Sequence, residues 1–225
     1  NRPDVKICTV EDPIEFQLQG VNQVQVHETI GLDFPAALRS ILRQDPDIAM
    51  IGEIRDAPTA KIAIQASLTG HLVLSTLHTN SAAASVARLL DMGVETYLLA
   101  STLKGVLAQR LVRRLCPHCS QPDEEAPSWM ERVPVFCQSG PADFRSAVGC
   151  ERCDGTGYRG RATIAELLLV DRSIQDLIHA RASDAEIERR ARDDGMRLLS
   201  EDGLAKAWRG ETSVAEVLSI VRTEP

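Results

Sequence analysis

Acidic side chains directly follow two apolar stretches of the chain. Ile48–Ile51 is a run of four apolar residues, which is typical of a strand in a parallel sheet, and Glu53 comes two residues after it. Residues 5–10 also read as a strand, and Glu11 and Asp12 follow at its end. Nucleotide hydrolases carry carboxylates at such strand ends, where they hold Mg²⁺ or orient the attacking water. Each stretch taken alone fits a core strand with a solvated polar turn about equally well.

A third apolar stretch, residues 71–80, has a histidine near each end. His78 is followed by Thr79 and Asn80, at the end of the predicted strand where open α/β sheets bind ligands. From there its ring can donate a hydrogen bond to a phosphate oxygen. His71 lies at the opposite end of the strand, so a structural role explains it better.

Four of the six cysteines occur as two C-x₂-C pairs. The pairs are Cys116 with Cys119 and Cys150 with Cys153, and 30 residues separate them. Four thiolates can bind one tetrahedral Zn²⁺ at about 2.3 Å, so the spacing predicts a structural zinc site. Redox chemistry is the weaker interpretation, because a redox C-x-x-C normally opens a helix of a thioredoxin-like unit. His118 could replace one ligand, and Cys8 and Cys137 have no partner by spacing.

The order of the predicted elements indicates the fold class. Strands alternate with helices over the first half of the chain, which favours βαβ units and a parallel sheet. Residues 17–28 alternate loosely and predict two short antiparallel strands. Asp33 and Asp56 are predicted N-caps of the first two helices. Predicted helices cover residues 32–43, 56–68, 81–92 and 94–103.

The second half of the chain is predicted to hold two further strands, at residues 106–111 and 163–169. After these the chain reads as helical, with capping boxes at residues 183–186 and 213–216. We expect three or four short helices there.

Composition narrows the classes of protein that fit. The chain of 225 residues is 44% apolar and 25% charged, which is ordinary for a globular protein of one or two domains. Its net charge of −7 disfavours nucleic acid and anionic membranes as direct partners of the whole chain. No apolar run is long enough to span a bilayer, and no signal peptide opens the chain. The cysteines do not indicate a secreted disulfide scaffold, so a cytosolic location is the simplest prediction.

Four long motifs, in a fixed order, resemble those of the secretion and pilus-assembly ATPases of type II secretion and type IV pilus systems. Residues 9–16 resemble the family's Asp box, residues 43–56 its Walker B region and residues 70–80 its His box. The four paired cysteines resemble its metal element, and the resemblance covers essentially the whole chain. It implies an α/β fold with a RecA-type parallel sheet and flanking helices, incomplete at the N-terminus. The implied parts are the ATPase core in residues 1–112, a zinc-binding element in 113–160 and a small helical region in 161–225.

The resemblance also implies roles for individual residues. Glu11 would activate the attacking water, Glu53 would organise Mg²⁺ through water, and His78 would sense the γ-phosphate of ATP. Asp12 would also hold the Asp box in shape. The implied cofactor-binding residues are Asp12, Arg55 and His71, and the implied Zn²⁺ ligands are Cys116, Cys119, Cys150 and Cys153.

A longer parent protein is implied by the same resemblance. It would be a cytoplasmic homo-hexamer at the inner membrane face, attached only through platform proteins. It would hydrolyse ATP with Mg²⁺ to assemble a pilus-like filament for type II protein secretion. The alternatives are pilus extension and a non-enzymatic zinc-bearing interaction module. DNA uptake or conjugation is disfavoured by the negative charge, and we expect no nucleic-acid partner.

The sequence departs from the family pattern in two places. The family's Walker A loop is absent, and we expect it to precede residue 1. Without it, we expect this chain alone to bind ATP weakly and not to hydrolyse it. Gly52 stands where a generic Walker B has aspartate, so direct and water-mediated contact of Glu53 with the metal both stay open.

Overall fold

The computed structural model describes residues 1–125, 128, 134, 138 and 140–221, so Cys137 lies outside it. The chain folds into two compact units. Asn1–Thr79, Ala83–Lys104 and Val170–Ile187 form the first unit. The second is formed by Asn80–Ala82, Gly105–Leu169 and the chain from Glu188 onward. The division into residues 1–112, 113–160 and 161–225 stays a prediction.

The first unit contains a four-stranded sheet in which every pair of neighbouring strands is parallel. This confirms the predicted parallel sheet. All its strands end at the same edge, where the polar segments that follow them lie close together. The strands are β1 (Ile7–Glu11), β2 (Asn22–Gln25), β3 (Ile48–Ile51) and β4 (Leu72–Ser75), in the spatial order β2-β1-β3-β4.

Helices accompany this sheet, and both predicted N-caps are confirmed. Asp33 accepts a hydrogen bond from the backbone N–H of Ala36 at 2.8 Å, and Asp56 accepts one from Thr59 at 2.7 Å. Apolar side chains of β1, β3 and the first two helices form one buried core. The helices of this unit are α1 (Phe34–Leu42), α2 (Ala57–Leu68), α4 (Thr96–Thr102) and α5 (Arg172–His179). Two more helices are divided between the units: α3 (Ala82–Asp91), of which only Ala82 belongs to the second unit, and α6 (Asp184–Asp193), which belongs to the second unit from residue 188 onward.

The prediction of two antiparallel strands in residues 17–28 is wrong. Only β2 forms there, and it runs parallel to β1, with Val24 beside Val10. Just beyond β2, the N–H of Val26 donates to Glu11 O at 2.9 Å, and Val26 is buried. A loose alternation indicates a half-exposed strand, but pairing with the distant β1 decides its direction.

A long antiparallel ribbon organises the second unit. Its strands are β5 (Gly105–Leu115) and β8 (Tyr158–Leu169). Val112, Ile164 and Leu168 point from one face of the ribbon and are fully buried. Both strands extend beyond the predicted 106–111 and 163–169, because they pair with each other over the added length, from Gly105 opposite Leu169 to Leu115 opposite Tyr158. The other elements of this unit are β6 (Gln121–Pro122), β7 (Arg145–Ser146), α7 (Leu199–Trp208) and α8 (Val214–Val221).

Two buried carboxylates connect the ribbon to other segments of the second unit. Glu166 on β8 accepts the backbone N–H groups of Ala82 at 2.6 Å and Leu199 at 3.2 Å, so it binds the first residues of two helices. Glu216 on α8 accepts three hydrogen bonds from Arg113 on β5, at 2.5 to 3.0 Å. Each carboxylate is 4% exposed. Full hydrogen bonding is what makes such burial of charge tolerable.

The two predicted capping boxes differ in outcome. At residues 183–186 both reciprocal bonds form, with Glu186 accepting the backbone N–H of Ser183 at 2.9 Å. At residues 213–216 only Ser213 caps the helix, because the carboxylate of Glu216 binds Arg113 instead. Among the helices of the described chain, none is both long and apolar enough to cross a bilayer.

We predict that Glu216→Gln destabilises the second unit in a pH-dependent way. Burial of Glu216 opposes its ionisation, but the hydrogen bonds and charge of Arg113 outweigh this and hold its pKa below the usual value. A lowered pKa in the folded state stabilises the fold above the unfolded-state pKa of about 4.3, and this stabilisation is lost as the pH falls through the folded-state pKa. Urea unfolding at pH 7 should give a free energy of unfolding lower by about 1 to 3 kcal/mol.

The same titration run down to acidic pH provides the check. The difference between the wild-type chain and Glu216→Gln should shrink as the carboxyl becomes protonated. Glu124→Gln, which alters an exposed carboxylate, should match the wild type throughout. A deficit of Glu216→Gln that stays constant down to pH 3 would contradict the assigned role of the Arg113 pair.

Candidate functional sites

The first candidate site lies at the sheet edge where β1 and β3 end. Val10 pairs with Ile51 in the parallel register, so the next residues along the two strands, Glu11 and Gly52, are also neighbours. The N–H of Gly52 donates to Val10 O at 2.7 Å, which continues the pairing past the last strand residues. A Cβ atom at position 52 would lie 3.2 Å from Val10 O, closer than ordinary contact. Glycine at this position therefore lets the two backbones approach without the tight contact that a Cβ atom would make.

Glu53 is brought together with Arg55 and His78 at this edge. Its side chain is only 13% exposed, and its Oε1 pairs with Arg55 Nη2. His78 Nε2 lies 3.3 Å from Glu53 Oε2 without hydrogen-bond geometry, so Oε2 is buried with no hydrogen-bond donor among the described residues. Such an oxygen is costly to bury and suits a ligand that supplies a donor or a cation. Mg²⁺ or one of its bound waters fits this position, since Mg²⁺ prefers carboxylate oxygen and keeps several waters.

The charges around Glu53 favour its ionised form. The hydrogen bond from Arg55 lowers the pKa of Glu53 most, burial opposes it, and the nearby charges of Arg55 and His78 lower it further. The pKa of Arg55 is raised by the same hydrogen bond, with smaller contributions from Glu53, Asp12 and Glu28. The Arg55 side chain is 60% exposed, so its guanidinium can turn from Glu53 to a phosphate oxygen.

Glu11 is held in place through one carboxylate oxygen. Its Oε1 accepts the hydroxyl of Thr9 at 2.5 Å and the amide of Gln23 at 2.9 Å. Gln23 on β2 also donates to Phe16 O at 3.0 Å, which fixes the amide and hence the carboxylate. Oε2 of Glu11 receives no hydrogen bond from the described part of the chain. The carboxylate is therefore oriented, with one oxygen available to accept a proton.

The two remaining predicted cofactor-binding residues lie in different places. Asp12 is exposed in the turn after β1, near enough for its charge to raise the pKa of Arg55. His71 precedes β4 at the opposite edge of the sheet, and its Nδ1 lies 2.9 Å from Ala66 O and 3.1 Å from Thr69 Oγ1. The structure therefore does not bring His71 to Glu53. The part of His71 in cofactor binding stays a prediction.

Three polar residues of this edge escaped the sequence analysis. Thr9 lies two residues before Glu11 and therefore on the same face of β1. This position could have been predicted from the two-residue period of a strand. Gln23 reaches Glu11 only because β2 pairs in parallel with β1, and the predicted direction of β2 was wrong. Thr76 donates its hydroxyl to Gly52 O at 2.6 Å and accepts the N–H of Ile54 at 3.0 Å, joining the segments after β3 and β4.

The second candidate site is a cluster of four sulfur atoms in the second unit. All four lie within 4.8 Å of one another, and three of their separations are 3.7, 3.8 and 4.0 Å. A tetrahedral ion with Zn–S bonds of about 2.3 Å holds its ligands about 3.8 Å apart, so the cluster has the size of a zinc site. Its members are Cys116, Cys119, Cys150 and Cys153. The predicted four-cysteine set is thus assembled in one place.

Hydrogen bonds prepare this cluster for negative charge. Burial opposes ionisation of Cys153, but the backbone N–H groups of Cys150 and Gly157, each 3.2 Å from its sulfur, lower its pKa to about 6. Burial raises the pKa of Cys119 to about 11, although Gly149 N–H donates to its sulfur at 3.3 Å. The N–H donors directed at the sulfur atoms of Cys119 and Cys153 would stabilise thiolates bound to a cation.

Two solved structures have a similar fold. The chain resembles the pilus retraction motor PilT, solved with bound ADP, at a TM-score of 0.69 and 25% identity over 96% of this chain and 52% of that one. Its fold is also that of the ATPase DotB of Legionella pneumophila, at a TM-score of 0.65 and 24% identity over 98% of this chain and 53% of that one.

The chain belongs to the type II/IV secretion system protein family, whose model matches residues 1–219. It is 53% identical over 221 residues to type II secretion system protein E of Xanthomonas campestris pv. campestris, covering 98% of this chain and 39% of the relative. It is 50% identical over 222 residues to type II secretion system ATPase E of Vibrio cholerae, covering 99% and 44%. For type IV pilus assembly ATPase PilB of Thermus thermophilus the identity is 51% over 218 residues, covering 96% and 24%. The chain spans less than half the length of each relative.

We predict that the chain purified without chelator contains close to one zinc per molecule by elemental analysis. Cys116→Ser should lower this content and raise hydrogen exchange in residues 116–160, because metal ligation adds stability that the segment's small core lacks. The sheet of the first unit should keep its protection. Cys8→Ser alters a buried thiol outside the cluster and should keep the zinc. A wild-type chain with no bound metal would remove the assignment.

Proposed function

We propose that this chain forms part of an ATP-hydrolysing motor, and that the sheet edge after β1 and β3 is its catalytic edge. The observation that carries the proposal is the buried Oε2 of Glu53, which accepts no hydrogen bond from the described residues. Glu53 follows β3, which pairs with β1, and β1 ends in the oriented Glu11. Arg55 binds Oε1 of Glu53, whereas Oε2 accepts no hydrogen bond within the described chain and has only the exposed ring of His78 at 3.3 Å. A hydrated cation could supply the missing donor to Oε2 when the ring of His78 turns to a phosphate.

Glu11 is the residue that we assign to the attacking water. Its carboxylate follows the strand next to the Glu53 strand and is anchored by Thr9 and Gln23 at Oε1. A base fixed through one oxygen can hold a water at the other and take its proton. Asp12, the next residue, adds negative charge to the edge, and its charge makes a small contribution to the raised pKa of Arg55.

Glu53, Arg55 and His78 are the residues that we assign to Mg²⁺ and the phosphates. Glu53 would hold a water of the Mg²⁺ shell, and the ion would neutralise charge on the transferred phosphoryl group. Arg55 and His78 both contact Glu53, and each is more than half exposed, so they can exchange that contact for a phosphate oxygen. His78 would thereby report whether the γ-phosphate is present.

The zinc cluster would act in folding rather than in hydrolysis. All four ligands are cysteines, which leave no coordination position open for a substrate. Zn²⁺ would hold the ends of the β5–β8 ribbon and the segment between them. A non-enzymatic zinc-bearing module is the rival function, and it would leave the polar edge of the first unit without a purpose.

For the longer protein we propose type II secretion as the process served. Two relatives named as type II secretion proteins are 53 and 50% identical to the chain. Extension of a type IV pilus is the second candidate, because PilB is as similar, at 51%. In either case we propose a cytoplasmic homo-hexamer that reaches the inner membrane through platform proteins.

The two carboxylates should fail in different ways when replaced in a parent protein that includes its Walker A segment. Glu11→Gln keeps the shape and removes the base, so kcat should fall by roughly 10²–10⁴-fold while MgATP affinity stays nearly unchanged. Glu53→Gln should also shift the Mg²⁺ concentration at which turnover is half-maximal, because it removes a partner of the ion's water shell. Turnover against Mg²⁺ concentration, with separate nucleotide titrations, measures both effects.

Glu15→Gln supplies the matched control for this pair. Glu15 belongs to the same acidic motif but is exposed, so its replacement should leave kcat and Mg²⁺ dependence at wild-type values. Wild-type turnover by Glu11→Gln would transfer the role of base to Glu53. A wild-type parent without ATPase activity would refute the proposed function.

A further inference from the structure

A basic cavity lies in the second unit, beside the four-cysteine cluster. Its volume is about 770 Å³, within the range of small-molecule sites. Five arginines and a single carboxylate line it, although the chain as a whole carries a net charge of −7. The charged lining residues are Arg114, Arg145, Arg159, Arg161, Arg209 and Glu211.

Two of these arginines are fixed by hydrogen bonds. Arg145 donates to Ser120 Oγ at 3.0 Å and to Ser120 O at 2.8 Å, and it pairs with Asp143 at 3.3 Å. Arg209 pairs with Glu211 at 2.8 Å. Asp143 and Glu211 therefore neutralise one guanidinium each and hold it in place. Fixed donors of this kind bind an anion without losing much side-chain entropy.

The other three arginines have no counter-charge in the described part of the chain. The side chains of Arg114, Arg159 and Arg161 form no hydrogen bond or ion pair with any residue that the structure describes. Arg114 is on β5 and the others are on β8, so the ribbon presents all three to the same cavity. Like charges gathered this closely repel one another, and an anion in the cavity would relieve that repulsion.

We propose that this cavity binds an oligophosphate, meaning a small soluble molecule with at least two phosphate groups. A single phosphate monoester carries about 1.5 to 2 negative charges at pH 7, so three uncompensated arginines match two phosphates better than one. Arginine recognises phosphate oxygens in pairs through its planar fork, and the cavity contains no lysine among its lining residues.

The shape of the site favours a small molecule over a membrane surface. A bilayer presents a flat array of headgroups, whereas these arginines line an open depression of about 770 Å³ that also has apolar walls. The apolar lining residues Leu115 and Pro117 give a wall against which the uncharged part of the ligand can pack. This site differs in charge from the sheet edge of the first unit, because its arginines favour an anion whereas the carboxylates of that edge favour a cation.

A second cavity in the same unit provides a contrast. It has a volume of about 680 Å³, and its three arginines are balanced by three carboxylates. No net charge distinguishes it, so it gives no comparable reason to select an anion. Its charged lining residues are Glu188, Arg189, Arg192, Asp193, Arg197 and Glu201.

Calorimetric titration of the zinc-loaded chain with pyrophosphate tests the proposal. We expect one site per chain, with an affinity at least tenfold higher than that for inorganic phosphate, weakened by added salt. The double substitution Arg159→Ala and Arg161→Ala should lower the pyrophosphate affinity at least tenfold. Both side chains are exposed and unpaired within the described residues, so the fold and the zinc content should be unchanged.

Two further variants separate specific binding from general attraction. Arg159→Lys with Arg161→Lys keeps the charge but loses the paired donors, so its affinity should fall between those of the wild type and the alanine variant. Arg39→Ala with Arg172→Ala removes two exposed arginines that do not line the cavity, and it should bind like the wild type.

Several outcomes would overturn the proposal. Equal affinities for phosphate and pyrophosphate would indicate only adventitious anion attraction, and so would an equal loss in the Arg39 and Arg172 control. Pyrophosphate binding that survives both cavity substitutions would place the ligand elsewhere. Binding to vesicles of acidic phospholipid that depends on Arg159 and Arg161, without pyrophosphate binding, would assign the patch to a membrane instead.

Discussion

The close approach of β1 and β3 past their last paired residues is the constraint on which the first candidate site depends. Gly52 donates its N–H to Val10 O, and a side chain at this position would press against that backbone. Because the strands stay together there, Glu11 and Glu53 emerge at one edge rather than diverging. Thr76 fastens the segment after β4 to Gly52 O and so brings the His78 segment to the same place.

Much of this arrangement could be predicted from the sequence, because the signals are local. A short apolar run before a carboxylate predicts both a buried strand and the edge of the sheet at which a ligand binds. Asp33 and Asp56 predict the starts of their helices because aspartate is a preferred N-cap residue. The spacing of the four cysteines in two C-x₂-C pairs predicts a four-sulfur metal site. The direction of β2 could not be predicted, since it depends on pairing with β1 across a long turn. For the same reason, the hydrogen bond from Gln23 on β2 to Glu11 could not be predicted.

Buried carboxylates escaped prediction for a related reason. Glu216 lies three residues after Ser213, which is the pattern of a capping box. The serine half of the predicted box forms, because Ser213 Oγ accepts the N–H of Glu216. Arg113, 103 residues away in sequence, offers the carboxylate two guanidinium bonds and a backbone N–H, which outweigh the helix's own N–H. A tertiary partner of opposite charge thus overrides a local preference worth about 1 kcal/mol. Glu166 follows the same logic, because its two amide donors come from residues 84 and 33 positions away.

Arginine has three distinct uses in this chain, and the differences lie in its partners. Arg113 is committed to a buried carboxylate and stacks over the ring of Tyr158, 4.1 Å from its centre, so it is a structural element. Arg55 holds a carboxylate that keeps one oxygen without a donor among the described residues, so its contact can be exchanged when a phosphate arrives. The side chains of Arg159 and Arg161 have no partner in the described chain, and they line one cavity together with three further arginines. An acidic protein that gathers such charges in one cavity forgoes stability there that a nearby carboxylate could supply. A bound anion is the physical reason that would make this arrangement stable.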